Sequence, residues 1–489
     1  MNKIKQMLLD KKFWILMLIS IVFFGTLTKL EFATDTYAVF ENSGTSMIKH
    51  FLSSGRFITA IAYAFTKILH LGNNLTYILS FALAIISTSI AVYKLEEILN
   101  KDIKNKTVSV IASILIIINI FSIELYLFIE KGILMLSVLL CVLALEKLRD
   151  YFIGNKRALI GVFIYMLFAN FSYQGTVGLF VALGLLYIVR YTKDIKSFVK
   201  NTIVTALSYG IPAIVNYLIV RFAFYNDRVN GSINIIESIE KIIKDTKYMI
   251  ISTYDIIPKY LFISICAVLL ITAIYNIISS KMNFKKKKWL ILGLIFIVVG
   301  NFVATIFPQI MQNTNSIWFV PRSTYTFASL IGIIIAYMFM NVDVNIKLEK
   351  VLIIGLMMYM VMTYISFTNI VRDRYILNYM DYYTNMQLQE KIKQYEEETN
   401  TKVTKIAFYT NEQRKYSYQN LYVNRDTNIK ASYPEWSRLQ SINYYLNRDF
   451  EEIAASNEIE KTYFKDKKWN FYDNNQVIIL NDTVHLYIY

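Results

Sequence analysis

Proline is scarce in this chain, with five residues in 489, and glycine is little commoner, with sixteen. Secondary transporters place broken helices at mid-membrane in matched, inverted pairs, and no such pairing is visible here. Cysteine is scarcer still. Cys141 and Cys266 lie far apart inside apolar runs, which excludes a disulfide framework and a cysteine-based zinc spacing. Only three histidines occur, His50, His70 and His485, which argues against an energy-coupled pump and against a histidine-based acyl transferase. The Walker A run, the Rossmann glycine fingerprint, HExxH and GxSxG are all missing, and with them the chemistries that those motifs carry. Asp-x-Asp is missing as well. Many sugar-nucleotide transferases need that pair to hold a metal on the diphosphate.

What the chain has in quantity is oil. Hydrophobic residues make up 55% of it, gathered into runs of roughly 16 to 23 residues, the length at which a helix crosses ~30 Å of hydrocarbon. Lipid offers no partner to an open backbone, so these runs read as helices and the protein as an α-helical polytopic membrane protein. The net charge of +15 does not point to nucleic acid, because a basic surface for that purpose needs a folded module to carry it. The lysines and arginines instead cluster between every second pair of runs, in MNKIKQMLLDKK, KLEEILNKDIKNK, KLRDYFIGNKR, RYTKDIKSFVK, KMNFKKKK and VDVNIKLEK. That asymmetry puts the basic loops and the N-terminus in the cytoplasm. The lysines before FWILMLISIVFFGTLT resemble a signal sequence, but no small-residue cleavage site follows, so this run reads as a retained first helix.

Eleven transmembrane spans are expected, near 13–30, 75–93, 107–123, 131–147, 157–172, 174–190, 202–224, 258–279, 289–307, 322–341 and 350–370. The transmembrane domain is then residues 1–371, with two long outer-face loops at 31–74 and 225–257. RFITAIAYAFTKILHL in the first loop and INIIESIEKIIKDTKYMI in the second carry apolar residues at helical spacing, as helices lying along the membrane surface would. From 372 the composition turns polar. RDRYILNYMDYYTNMQLQEKIKQYEEETN and SRLQSINYYLNRDFEEIAAS read as helices, KVTKIAFYT as a strand and QVIILNDTVHLYIY as one or two closing strands. Residues 372–489 are therefore expected to form a small extracytoplasmic α/β domain.

The polar residues at the outer helix ends are the candidates for chemistry. The first loop carries Glu31, Asp35 and Glu41. A carboxylate in a half-apolar cleft can act as general base on a hydroxyl. Arg56 follows Gly55 in the same loop; a guanidinium grips phosphate oxygens with a planar fork, and glycine lets the backbone approach closely. Asn170, Ser172, Tyr173 and Gln174 cluster where the fifth span turns into the sixth, a depth at which polar groups need a partner or a cavity. Interhelical hydrogen bonding accounts for them as well as ligand contact does. Pro321-Arg322 opens a helix, and Arg221 stands between apolar residues in YLIVRFAFY. An internal ion pair is the plain reading of Glu124 and Lys131. Together these residues suggest a carboxylate and several arginines around a membrane-level cleft, as an enzyme with a lipid-linked phosphate-sugar donor would need.

Asp35-Thr36-Tyr37, followed by Gly55-Arg56-Phe57, resembles the first-loop pattern of the Gtr-type O-antigen glucosyltransferase family. Phe171-Ser172-Tyr173-Gln174 resembles that family's Tyr-Gln turn, Pro321-Arg322 its Pro-Arg, and DTVHLYIY the end of its C-terminal domain. The resemblance implies a GT-C-like polytopic hexosyltransferase of the bacterial plasma membrane. Such an enzyme moves a sugar, with glucose the first choice, from a polyprenyl phosphate to a cell-envelope glycan on the outer face. It implies Asp35 as base; Arg56, Arg322 and Arg221 are the candidate donor-phosphate ligands, and Tyr37, Gly55, Tyr173 and Gln174 the candidate substrate contacts. The family's acidic pair stands here as Thr34-Asp35, which leaves the base open among Asp35, Glu31 and Glu41 and weakens the case for a divalent metal cofactor. A small flippase and a donor synthase are the partners that the family suggests. Two other classes compete: a polysaccharide polymerase or ligase using a diphosphate-linked oligosaccharide, and a non-enzymatic flippase of lipid-linked sugars.

Overall fold

The computed structural model describes residues 2–28, 32–41, 44–192, 194–224, 234–310, 312–410, 429–467, 469 and 472–488. The chain divides into two compact units. One comprises Met1–Thr28 with Gly44–Thr368, the other Lys29–Ser43 with Asn369–Tyr489.

The first unit is helical. Seven helices of the chain, among the described residues, are long and apolar enough to cross a membrane: Lys11–Thr28, Asn73–Leu99, Gln174–Tyr191, Ile195–Ala223, Leu261–Ser279, Phe284–Ile310 and Ile346–Thr399. The last of these continues into the second unit. The remaining expected spans fall short of that standard. Lys106–Ile117, Ala158–Ser172 and Leu330–Asn341 are shorter apolar helices. The run at 107–123 stops at Ile117, and a separate short helix, Ser122–Leu127, follows. Lys131–Phe152 is long but carries Glu146, Lys147, Arg149 and Asp150 in its last turns.

Caps mark where these helices begin. The Asp10 carboxylate accepts from the Lys12 backbone N–H at 2.9 Å, and Asp194 forms a reciprocal capping box with Ser197. Burial then sorts the helices. Leu330–Asn341 and Gly178–Tyr191 are apolar and almost wholly buried, so they lie at the centre of the unit. Ile195–Ala223 has two faces. Thr205, Ser208, Tyr209, Pro212, Asn216 and Val220 are buried. Ile203, Leu207, Ile211, Ile214, Leu218 and Phe222, three or four residues apart, are exposed. An exposed stripe of large aliphatic residues at helical spacing is a lipid-facing surface. Both long loops contain the expected amphipathic helices, at Phe57–Ile68 and Ile235–Ser252. Residues 225–233 of the second loop lie outside the described residues.

The second unit is α/β. It takes in residues 29–43 as well as the region beyond 372. Its sheet has the order β2-β1-β4-β3, with β1 Lys405–Thr410, β2 Glu451–Ile453, β3 Val477–Leu480 and β4 Thr483–Ile488. Strand β1 pairs in parallel with both β2 and β4, and β3 and β4 form an antiparallel hairpin. The hairpin turns at Asn481-Asp482, where Asn481 takes a φ of 54°, a left-handed conformation that asparagine tolerates. The period of two along β1 supplies both faces of the sheet. Ile406 and Phe408 join Leu388, Ile392, Ile442 and Val484 in one core, whereas Ala407 and Tyr409 face Phe464 and Tyr487 in another. The expected helix SRLQSINYYLNRDFEEIAAS is shorter than its pattern. It ends at Leu446, because Asn447 takes a left-handed φ of 50° and caps it, and Glu451–Ile453 joins the sheet instead.

Candidate active site

The first unit holds a cavity of about 350 Å³, within the range of small-molecule sites. Its polar end is built by three pieces of chain. The first is the turn Ser54-Gly55-Arg56. Gly55 has a φ of +70°, and a Cβ there would run into the Asn216 side chain, so both the conformation and the space require glycine. The second is the turn after Ala158–Ser172, where Tyr173 and Gln174 leave the helix. The third is Asn216 on Ile195–Ala223. Side-chain amides tie them together. The Gly55 carbonyl accepts from Gln174 Nε2 and from Asn216 Nδ2, each at 2.9 Å, and Asn216 Nδ2 also reaches the Asn170 carbonyl at 3.1 Å. The cluster at 170–174 is thus the lock that positions the Gly-Arg turn.

Two arginines line this end. Arg56 Nη1 meets Glu130 Oε1 at 3.3 Å, and its guanidinium lies 5.0 Å from the centre of the Tyr173 ring. Arg322 is held more tightly. Its Nη1 lies 3.0 Å from Glu124 Oε1, its backbone N–H donates to Glu124 Oε2 at 2.6 Å, and its guanidinium sits 4.1 Å from the centre of the Phe128 ring. Glu124 is therefore a partner of Arg322, and the Lys131 ammonium lies over the face of Tyr77. The lining also includes apolar Ala213, Ile214 and Val220 from Ile195–Ala223, with Phe307, Pro308 and Trp318, interleaved with polar Tyr217, Gln309, Gln312 and Ser316. The arrangement suits an anionic head with a greasy tail.

Four of the expected residues, Gly55, Arg56, Tyr173 and Gln174, converge here, and Arg322 joins them. Arg221 does not. It is exposed on its helix, its Nη1 donating to the Tyr217 hydroxyl at 2.8 Å, and it is not part of the cavity wall. It follows Ile214 and Tyr217, which do line the cavity, on the same helical face, and lies a turn beyond them toward the helix end. Asn216 and Glu130 were missed by the sequence reading. The signal for Asn216 was there, since a lone amide in the apolar run IVNYLIV is costly unless it has partners.

Asp35 belongs to the second unit, in the first turn of the helix Thr34–Glu41. It is half-buried, and its Oδ1 accepts from Trp436 Nε1 at 3.1 Å. Tyr37, expected to touch substrate, is instead fully buried. Its hydroxyl lies 2.7 Å from that of Tyr445, and its ring packs edge-on against Phe32 and Tyr444. Burial, with Tyr445 and Asp381 nearby, pushes its phenol well above the usual range. Glu31 and the side chain of Glu41 lie outside the described residues. Among the described residues, no three of His, Cys, Asp and Glu come together as a metal site.

No family model, no curated protein and no solved structure matches this chain.

Proposed function

We propose that this protein is a membrane glycosyltransferase that moves a sugar, glucose as first choice, from a polyprenyl phosphate to a cell-surface polysaccharide. The observation that carries this reading is the cavity whose lining includes both Arg56 and Arg322 together with apolar side chains such as Ile214, Val220, Phe307 and Trp318. The arginines take the phosphate, and the apolar side chains take the first isoprene units. Asp35 is the proposed base. It removes the proton from the acceptor hydroxyl as that oxygen attacks the anomeric carbon, and the bond from that carbon to the phosphate oxygen breaks, releasing polyprenyl phosphate. Neither a nucleotide nor a metal is needed in this scheme. The membrane domain makes eleven crossings with basic loops in the cytoplasm, so that residues 372–489 face outward from a bacterial plasma membrane. The donor synthase and a flippase are its working partners.

Two arginines on one cavity also suit a diphosphate-linked oligosaccharide, the donor of a polymerase. One experiment separates the two. Purified protein in detergent is given radiolabelled undecaprenyl-phosphate glucose and envelope glycan from a strain lacking the gene. Wild type transfers label. Asp35→Asn loses transfer, and Arg56→Lys, which keeps charge but not the fork, loses about tenfold to a hundredfold in kcat/KM, as expected for a hydrogen-bonded charge. Transfer from a diphosphate-linked donor alone would favour the polymerase. Transfer from neither class would dismiss both.

A further inference from the structure

The second unit contains an aromatic side chain that its core does not use. Trp436 is 49% exposed. Among the described residues no aromatic ring stacks on it, whereas nearby Tyr444 and Tyr445 are drawn into a ring cluster with Phe32, Tyr37 and Phe40. Leaving half an indole in water forgoes a large gain from burial.

The exposed ring is nonetheless held in place. Pro434 closes a turn in which its carbonyl accepts from the backbone N–H groups of Ser437 and Arg438, at 3.0 and 2.9 Å. The Ser437 hydroxyl donates to the Ala431 carbonyl at 2.6 Å. Asp381, fully buried, accepts from the Ala431 backbone N–H at 2.7 Å and from the Ser432 hydroxyl at 2.6 Å. The turn is thus fastened to the buried interior of the unit, and the indole N–H is fixed by Asp35 at 3.1 Å. The result is an immobilised, solvent-facing aromatic plane joined at its polar edge to a carboxylate.

That pairing is what recognition of a pyranose needs. The C–H face of the sugar lies on the ring, and a hydroxyl at its rim donates to the carboxylate. We infer that Trp436 is the platform for the acceptor sugar, holding a neutral pyranose unit of the glycan so that one of its hydroxyls reaches Asp35. The negative charge of Asp35, with exposed Glu435 next to Trp436 in the chain, favours a neutral sugar over a uronic acid. The inference rests on the proposed function for the role of Asp35, but sugar binding at Trp436 can be read without catalysis.

The test compares wild type, Trp436→Phe and Trp436→Ala as full chains in detergent, with the envelope glycan from a strain lacking the gene as probe. In transfer kinetics, Trp436→Ala raises the half-saturating glycan concentration about 5- to 100-fold, the scale of a lost stacking surface. The donor KM stays unchanged, and kcat at saturating glycan falls by a smaller factor than the affinity, since Asp35 also loses its indole N–H partner. Trp436→Phe restores part of the affinity. In a titration without donor, glycan changes the tryptophan emission of wild type, and the change is absent in Trp436→Phe. If the half-saturating concentration is the same in all three proteins, or the emission of wild type and Trp436→Phe responds alike, the ring serves the fold or the membrane interface and the inference falls. If wild type transfers nothing, the proposed function fails, and the emission titration still decides whether Trp436 binds the glycan.

Discussion

Gly55 and Lys430 show how single residues carry constraint in the two units. Gly55 combines a left-handed φ of +70° with the close approach of Asn216 and Gln174. Gly55→Ala is expected to cost at least about 1–2 kcal/mol from the backbone alone. It also displaces the amide lock, so it should lower both the unfolding temperature in detergent and the rate of transfer. An alanine variant with wild-type values for both would show that the lock is dispensable. Lys430 is buried beside Asp381, and burial lowers its ammonium from 10.5 to about 8. Between those values the folded chain binds fewer protons than the unfolded chain. Stability around residue 430 therefore rises with pH across that window and is lost as pH falls through about 8. Asp381 is shifted upward by burial, against the pull of Lys430 and Ser432. Its contribution is present below the ordinary 3.8 and lost as pH rises through its own higher value. Hydrogen exchange of the amides at 429–437, corrected for intrinsic rates, should show the alkaline rise in wild type and not in Lys430→Met.

At the scale of elements, termini matter more than propensity. The helix Arg438–Leu446 could have run on through NRDFEEIAAS by composition, yet Asn447 closes it with a φ of 50° and frees Glu451–Ile453 to pair with β1. Asn447→Val should cost about 1–2 kcal/mol, since a β-branched residue resists that conformation, and Asn447→Gly should be neutral or slightly stabilising. Thermal unfolding of both variants checks this, and equal melting temperatures would show that the cap does not hold the helix end. The expected spans obey the same logic. Hydropathy located a helix near each one, and Lys106–Ile117, Ala158–Ser172 and Leu330–Asn341 are apolar helices of 12 to 15 residues. Hydropathy did not register the backbone break at Ile118, where the dihedrals leave the helical region, whereas the span expected at 157–172 ends where its helix does, at Ser172.

At the scale of the whole molecule, the distribution of lysine and arginine makes a testable statement about sidedness. Cys141 and Cys266 are both buried, so introduced thiols can be read against a quiet background. A membrane-impermeant maleimide applied to intact cells should label Glu451→Cys in β2. It should label Lys286→Cys, in the basic run that opens Phe284–Ile310, only after permeabilisation. The opposite pattern would invert the topology and remove the outer-face reaction.

The sequence by itself determined that the chain is a helical membrane protein, because a 55% hydrophobic composition in long runs leaves lipid as the only compatible solvent. It also marked Gly55-Arg56, Tyr173-Gln174 and Pro321-Arg322, since polar groups at the ends of apolar runs must be paired or used. Only the tertiary structure decided which of them share a cavity. It brought Arg56, Arg322 and Asn216 to the lining of one cavity, left Arg221 outside that lining, paired Glu124 with Arg322, and buried Tyr37 in an aromatic core. It also placed Trp436 against Asp35, about four hundred residues away in sequence. Local pattern reports the face of a helix; which faces meet depends on packing between segments distant in the chain, and no periodicity encodes that.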